Sequence, residues 1–148
     1  MRQIKFRGKH IETGKWITGS LCHDPYRDES EISDHDDINL GREEVDRETV
    51  GQYTGLHDRK DREIYEGDIL FVEFADKSGG HHLVGWNEET ASWGIMNAYE
   101  YKYLKEGDEW PEFKNHTLVA FLKHAIVCEV VGNIHDNPEL MNVPSYKD

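Results

Sequence analysis

Three groups of side chains in this chain have types and spacings that could support chemistry. The first is a run of carboxylates, Asp58, Asp61, Glu63, Glu66 and Asp68, interleaved with Arg59, Lys60 and Arg62. Paired carboxylates perform general acid–base work when their surroundings push their pKa values apart. The same residues also make a charged turn. Asp58 and Asp61 can bond nearby backbone amides and tolerate left-handed geometry, so no active site is needed to explain them. Asp68 follows Gly67 at a strand start, where a carboxylate accepts backbone N–H bonds. The second group is drawn from the nine histidines. His81 and His82 are neighbours in a predicted strand, so they point to opposite faces and cannot readily chelate one ion. His124 with Cys128, or His135 with Asp136, could each join a metal site, but zinc gathers three or four convergent ligands and nothing in these spacings demands one. Asp34, Asp36 and Asp37 suggest a divalent-cation loop, yet the central Gly and bidentate Glu of an EF-hand are missing.

The third group is aromatic: Tyr99, Tyr101, Tyr103 and Trp110. Such rings stack bases in single-strand binders. Here Lys102, Lys105 and Lys114 are outnumbered by Glu100, Glu106, Asp108, Glu109 and Glu112. Core or protein-interface material is the better reading, because Tyr and Trp are enriched at interfaces. No nucleophile–base pair, metal-ligand cluster or phosphate loop is legible, so no catalytic, metal or cofactor-binding residue is assigned and no cofactor is expected.

The elements that must position these groups are mostly strands. Ile4 and Phe6 alternate with Lys5 and Arg7, residues 11–15 supply turn chemistry, and Trp16 to Leu21 returns, which predicts an N-terminal hairpin. Cys22 to Asp37 is dense in acids and broken by Pro25; it is expected to be a solvated, mobile loop. Residues 41–48 fit a helical turn or an extended approach. Thr49 to Thr54 is β-prone, punctuated by Gly51 and Gly55. Ile64 to Ala75 is the strongest strand, with Leu70, Val72 and Phe74 on one face and Ile69 and Phe71 on the other, so both faces should be covered. His81–Trp86 and Ala91–Met96 should form a hairpin about residues 87–90. Tyr99 to Lys114 reads as a long excursion from the sheet. Asn115 could cap a helix over His116–Lys123, with Leu118, Phe121 and Leu122 as its apolar stripe. Ile126–Ile134 is strand, and Asn137-Pro138-Glu139-Leu140 starts a short helix.

The length, 148 residues, suits one domain. A mean hydropathy of -0.80 reflects the 32% of charged residues, because apolar residues still cluster in runs, as at 69–72 and 126–128. The net charge of -13 disfavours nonspecific nucleic-acid binding and suits solubility or a basic partner. Cys22 and Cys128 form no CxxC pair; Cys128 should behave as a small buried hydrophobe. With no apolar h-region at the N-terminus and no membrane-length apolar run, a cytoplasmic protein without a membrane role is expected.

Three ordered motifs then suggest a relative. Gln52-Tyr53-Thr54-Gly55-Leu56, Ile64-Tyr65-Glu66-Gly67-Asp68-Ile69, and Glu129-Val130-Val131-Gly132-Asn133-Ile134 with Asn137-Pro138-Glu139-Leu140 together resemble the YopX family of phage and prophage proteins. Ile4-Lys5-Phe6-Arg7 is similar to that family's first strand. The resemblance spans most of the chain and implies a bacterial host context and a mainly β fold. It implies no activity and carries no catalytic residue. Asp61 stands where the family's turn has a Gly; Asp is the next most tolerant residue for positive φ, so the turn should survive.

Together these readings predict one mainly β domain over 1–148, with insertions at about 22–40 and 99–114. Its architecture is a small bent antiparallel sheet or an SH3-like partly open barrel, with an N-terminal hairpin and one or two short helices near the C-terminus. The expected role is a non-enzymatic protein-interaction module with a host, phage or self partner. The alternatives are a metal-assisted enzyme using the His and Asp residues, and an acidic DNA mimic acting on a basic host protein through Asp34, Asp36 and Asp37.

Overall fold

The structure is a computed structural model, and it describes residues 3–24, 26–27, 29–34, 41–106 and 117–143, apart from the side chains of 104 and 106. The chain folds as two compact units, Met1–Leu56 and His57–Asp148. Both are antiparallel β structures, as the sequence pattern requires.

In the first unit, β1 (Phe6–His10), β2 (Trp16–Asp24), β3 (Glu29–Asp34) and β4 (Arg42–His57) pair in that order. β1 also pairs with β4, so the ladder closes on itself. Ile32 and Val45 fill the interior, 0% and 3% exposed. Gly8 sits against them with little room to spare: a Cβ there would lie 3.0 Å from Val45. The β1–β4 register slips between Arg7 and Lys9. At the slip Thr49 stands in for the ladder: its Oγ1 accepts from the Lys9 amide at 2.9 Å and donates to the Asp46 carbonyl at 2.6 Å. Gly19 is required by close approach, since a Cβ would stand 1.9 Å from the Ser33 carbonyl oxygen.

One expectation here is corrected. Much of the stretch predicted as a mobile acidic loop is a hairpin: β2 runs to Asp24 and pairs with β3, from Asp24↔Glu29 to Gly19↔Asp34. Ser30 and Ile32 are its buried positions, and Glu29, Glu31 and Ser33 alternate with them, half-buried. Asp36 and Asp37 lie outside the described residues. Residues 42–48 are extended within β4.

In the second unit, β5 (Glu63–Tyr65) follows the turn at 58–62, and β6 (Asp68–Glu73), β7 (Gly79–Asn87), β8 (Ser92–Asn97) and β9 (Val127–Asn133) form a sheet in the order β8-β7-β6-β9. Both faces are covered, as predicted. Ile69 and Leu83 cluster with Met141, and Ala98, Tyr101, Ile134 and Leu140 pack on them. On the other face Phe74 and His82 meet Phe121, with centroids 5.4 and 5.3 Å apart. The covering elements are α1 (Ala98–Glu106), α2 (Leu118–His124) and the 3-10 turn η1 (Pro138–Met141).

Two further expectations change. The aromatic excursion begins as α1, opened by a capping box: Asn97 Oδ1 accepts from the Tyr99 and Glu100 amides, and Glu100 Oε2 accepts from the Asn97 amide at 2.8 Å. α2 is capped by Thr117, whose hydroxyl accepts from the Ala120 amide; Asn115 and His116 lie outside the described residues. Asn137 precedes η1 as expected, but its side chain makes no cap bond.

The glycines of the first unit separate two kinds of constraint. Gly14 has φ +66 with nothing near its Cβ position, whereas Gly19 faces backbone. Gly14→Ala should cost about 1 kcal/mol of left-handed strain, and Gly19→Ala about 3 kcal/mol or more through displaced backbone. Urea denaturation of the two variants checks the order.

Candidate functional site

The motif carboxylates converge on structure. Asp58 lies at the start of the turn after β4, its side chain 0% exposed. Its Oδ1 accepts from the Lys60 and Arg62 amides at 2.8 and 2.9 Å. Its Oδ2 accepts from Arg62 Nε at 2.9 Å and from the Val130 amide of β9 at 2.9 Å, and pairs with Arg62 Nη2 at 2.8 Å. Burial pushes this carboxyl up, but the Arg62, Val130 and Lys60 amides and the Arg62 side chain outweigh it and hold it below the ordinary 3.8. The Arg59 amide donates to the Cys128 carbonyl, and its guanidinium reaches the Leu122 and Ala125 carbonyls at the end of α2. Lys60 Nζ meets Glu129 at 2.7 Å. The turn therefore covers the outer edge of β9.

The other motif residues are likewise held by structure. Asp61 has φ 62, the left-handed conformation expected where the family turn carries Gly. Asp68, 1% exposed, accepts from the Tyr65 amide at 2.8 Å, and Tyr65 Oη donates to Glu63 at 2.7 Å. Tyr53 and Thr54 are buried, and Gly55 and Gly67 have φ 83. Leu56 and Glu66 are each half-buried. Gly132 leaves room for Asn137, whose Oδ1 would lie 2.5 Å from a Cβ. Asn133 Oδ1 accepts from the His135 and Asp136 amides, and Pro138 opens η1. Cys128 is 0% exposed, as expected of the small buried hydrophobe read from the sequence, and burial pushes its thiol up to about 11.

Two clefts among the described residues could hold a ligand. One, ≈ 480 Å³, lies in the first unit and is lined by His10, Trp16, Asp34 and Glu43 among others. His10 Nδ1 accepts from the Glu12 and Thr13 amides, so Nε2 bears the hydrogen and donates to Glu43 at 3.0 Å. Both ring nitrogens are engaged, which makes this a structural histidine.

The second cleft, ≈ 570 Å³, is the candidate site. It lies where β8 leaves the sheet. The capping box at Asn97 turns the chain into α1, while β7 extends beyond it through His81, Gly80 and Gly79. Its walls are Phe74, Phe121, Tyr99 and His82, with His81, Asn97, Glu100 and Leu140 contributing polar or terminal groups. His81 and His82 point to opposite faces, as expected: His81 Nδ1 donates to the Leu140 carbonyl at 2.9 Å, and His82 Nδ1 to the Gly80 carbonyl at 3.0 Å. The predicted aromatic group splits. Tyr99 and Tyr103, four apart on α1, share a face and are each 52% exposed, while Tyr101 packs on the core. Trp110 lies outside the described residues. The sequence reading missed Phe74, Phe121, Gly79 and Gly80 as site residues. Asn97-x-x-Glu100 was the signal that could have found the cleft's edge. Among the described residues, no group of three His, Cys, Asp or Glu side chains is placed to hold a metal ion.

Comparison with known proteins gives a family. The model described as YopX protein matches residues 5–142. No curated protein matches the chain. Among solved structures, protein EF1440 from Enterococcus faecalis is similar at 17% identity, with 96% of this chain and 100% of that one covered and a TM-score of 0.48.

The Asp58 geometry sets a pH dependence. Because its carboxyl titrates below the ordinary value, its stabilising contribution is complete above about pH 4 and is lost as pH falls through the lowered value. Asp58→Asn should lower stability at pH 7 by about 2–3 kcal/mol, since an amide nitrogen cannot accept the Val130 and Arg62 hydrogens. It should also flatten the acid limb of a Tm-versus-pH profile. In a thiol-reagent titration of the native protein, Cys22 should react and Cys128 only after unfolding.

Proposed function

This chain belongs to the YopX family, and we propose that it is a phage- or prophage-type accessory protein acting as a non-enzymatic protein-interaction module. The observation that carries this reading is the aromatic-walled cleft beside β7 with Tyr99 half-exposed at its mouth. Tyr and Trp supply large amphipathic contact area at little entropic cost, and hot spots are enriched in them. The family motifs, by contrast, are used at the Asp58 turn and the Asn133 corner, where Asp58 and Asp68 already accept backbone hydrogens.

The partner is a protein rather than a nucleic acid, since a net charge of -13 repels phosphates. The cytoplasm of a bacterial host fits two free cysteines, one of them buried. No helix among the described residues is long and apolar enough to cross a membrane.

The test is affinity capture from bacterial lysate. The wild-type protein should retain a reproducible protein partner, and Tyr99→Ala with Tyr103→Ala should lose it. These exposed substitutions should change stability by no more than about 0.5 kcal/mol. A wild-type protein that retains nothing reproducible would sink the reading.

A further inference from the structure

We propose that the cleft beside β7 takes an extended, basic segment of the partner protein, which adds as a short strand to the flank of β7 that β8 leaves uncovered. This rests on the protein-interaction reading and specifies the partner it requires.

The pairing registers define the flank. On one side β6 follows β7 to Glu73↔Gly79; on the other, β8 stops at Asn97 opposite His82. Gly79, Gly80 and His81 therefore have a strand neighbour on one side only, among the described residues. The direction of their backbone groups follows from alternation. The Phe74 amide donates to the Ser78 carbonyl, so two residues further on Val72 bonds across to Gly80. Glu73, between them, bonds toward β9, where its carbonyl accepts from the Ile126 amide. His81, the residue after Gly80, turns its amide away from β6 toward the cleft. Outside the strand ladders, no backbone bond from that amide is seen among the described residues.

A strand flank without a strand neighbour suits an extended chain, because main-chain bonds give such complexes their affinity and flanking pockets read alternate side chains. The room is present: a Cβ at Gly80 would meet nothing within 4 Å. The walls are aromatic, and Glu100 adds a carboxylate to the lining. With a net charge of -13 behind it, that wall favours Lys and Arg on the incoming segment and speeds their encounter.

The test selects binders from a random dodecapeptide library on the full chain, then follows the labelled winner by fluorescence polarisation and amide exchange by NMR. The winners should alternate Lys or Arg with apolar residues. The His81 amide should exchange freely in the unbound protein and become protected at least about tenfold by the peptide. Tyr99→Ala should weaken binding about tenfold. So should Glu100→Gln, which removes charge but keeps the oxygen that caps α1. Val131→Ser, at an exposed position on β9, should leave it unchanged. The proposal is overturned by a His81 amide already protected in the free protein, since the flank is then covered by this chain or a second copy. It is equally overturned by winners that are acidic, or by binding that leaves His81 exchange unchanged. A lysate partner that still depends on Tyr99 in that last case removes strand addition and leaves the interaction reading standing. If no partner and no peptide engages the cleft, both fall.

Discussion

The buried Asp58 carboxylate is the constraint on which the second unit depends. A charge with no solvent exposure is stable only when its lone pairs are filled, and this one accepts from three backbone amides and the Arg62 guanidinium. Two of those amides belong to its own turn and fix the chain reversal. The third belongs to Val130, so the same carboxylate ties the turn to an edge strand distant in sequence. Arg59 extends the tie: its amide bonds Cys128 of β9, and its guanidinium satisfies carbonyls at the C-terminus of α2, where a cation also meets the negative end of the helix dipole. One turn thus orients β9 and α2, and α2 carries Phe121 into the cleft.

The fold was legible wherever a local rule matched the tertiary outcome. Alternation gave β1, β2, β7 and β8, the apolar run gave β6, and the tolerance of Asp for positive φ anticipated the geometry of Asp61. It failed where composition masked periodicity. β3 offers only Ser30 and Ile32 to the interior, and its remaining residues are acids or a hydroxyl, so its alternation is hidden by charge that is simply outward-facing. α1 places Tyr99, Tyr101 and Tyr103 two apart, a strand-like spacing. The helix is dictated instead by its first turn, where the Asn97 and Glu100 side chains satisfy the amides that a strand would have left to a neighbour.

The candidate site was less legible for a related reason. Its walls are core-type residues, Phe74 and Phe121, and two glycines that read as a strand terminator. Nothing in their types distinguishes a filled core from a cleft. The distinction arises from topology alone: β8 turns into a helix while β6 still follows β7. The motif residues that looked chemical, by contrast, were those whose short polar side chains can replace backbone partners, which is why they gather at reversals.

Unpaired strand edges are the hazard of any antiparallel sheet, and several edges here have different solutions. The first unit pairs β1 with both β2 and β4, so its ladder returns on itself. β9 is covered by the Asp58–Arg62 turn, which supplies an acceptor to Val130 and a donor to Cys128 while presenting Lys60 and Arg62 outward. β8 is met by Thr117 through a bridge to Gly94. Against that background the flank of Gly79–His81 has a strand neighbour on one side only, and it coincides with the ≈ 570 Å³ cleft and with Tyr99. A protein that commits a buried charge to protecting one edge strand is under pressure to avoid adventitious pairing. Under the strand addition proposed above, pairing at this flank would have to be selective, and a carboxylate in the wall would supply selection by disfavouring acidic strands.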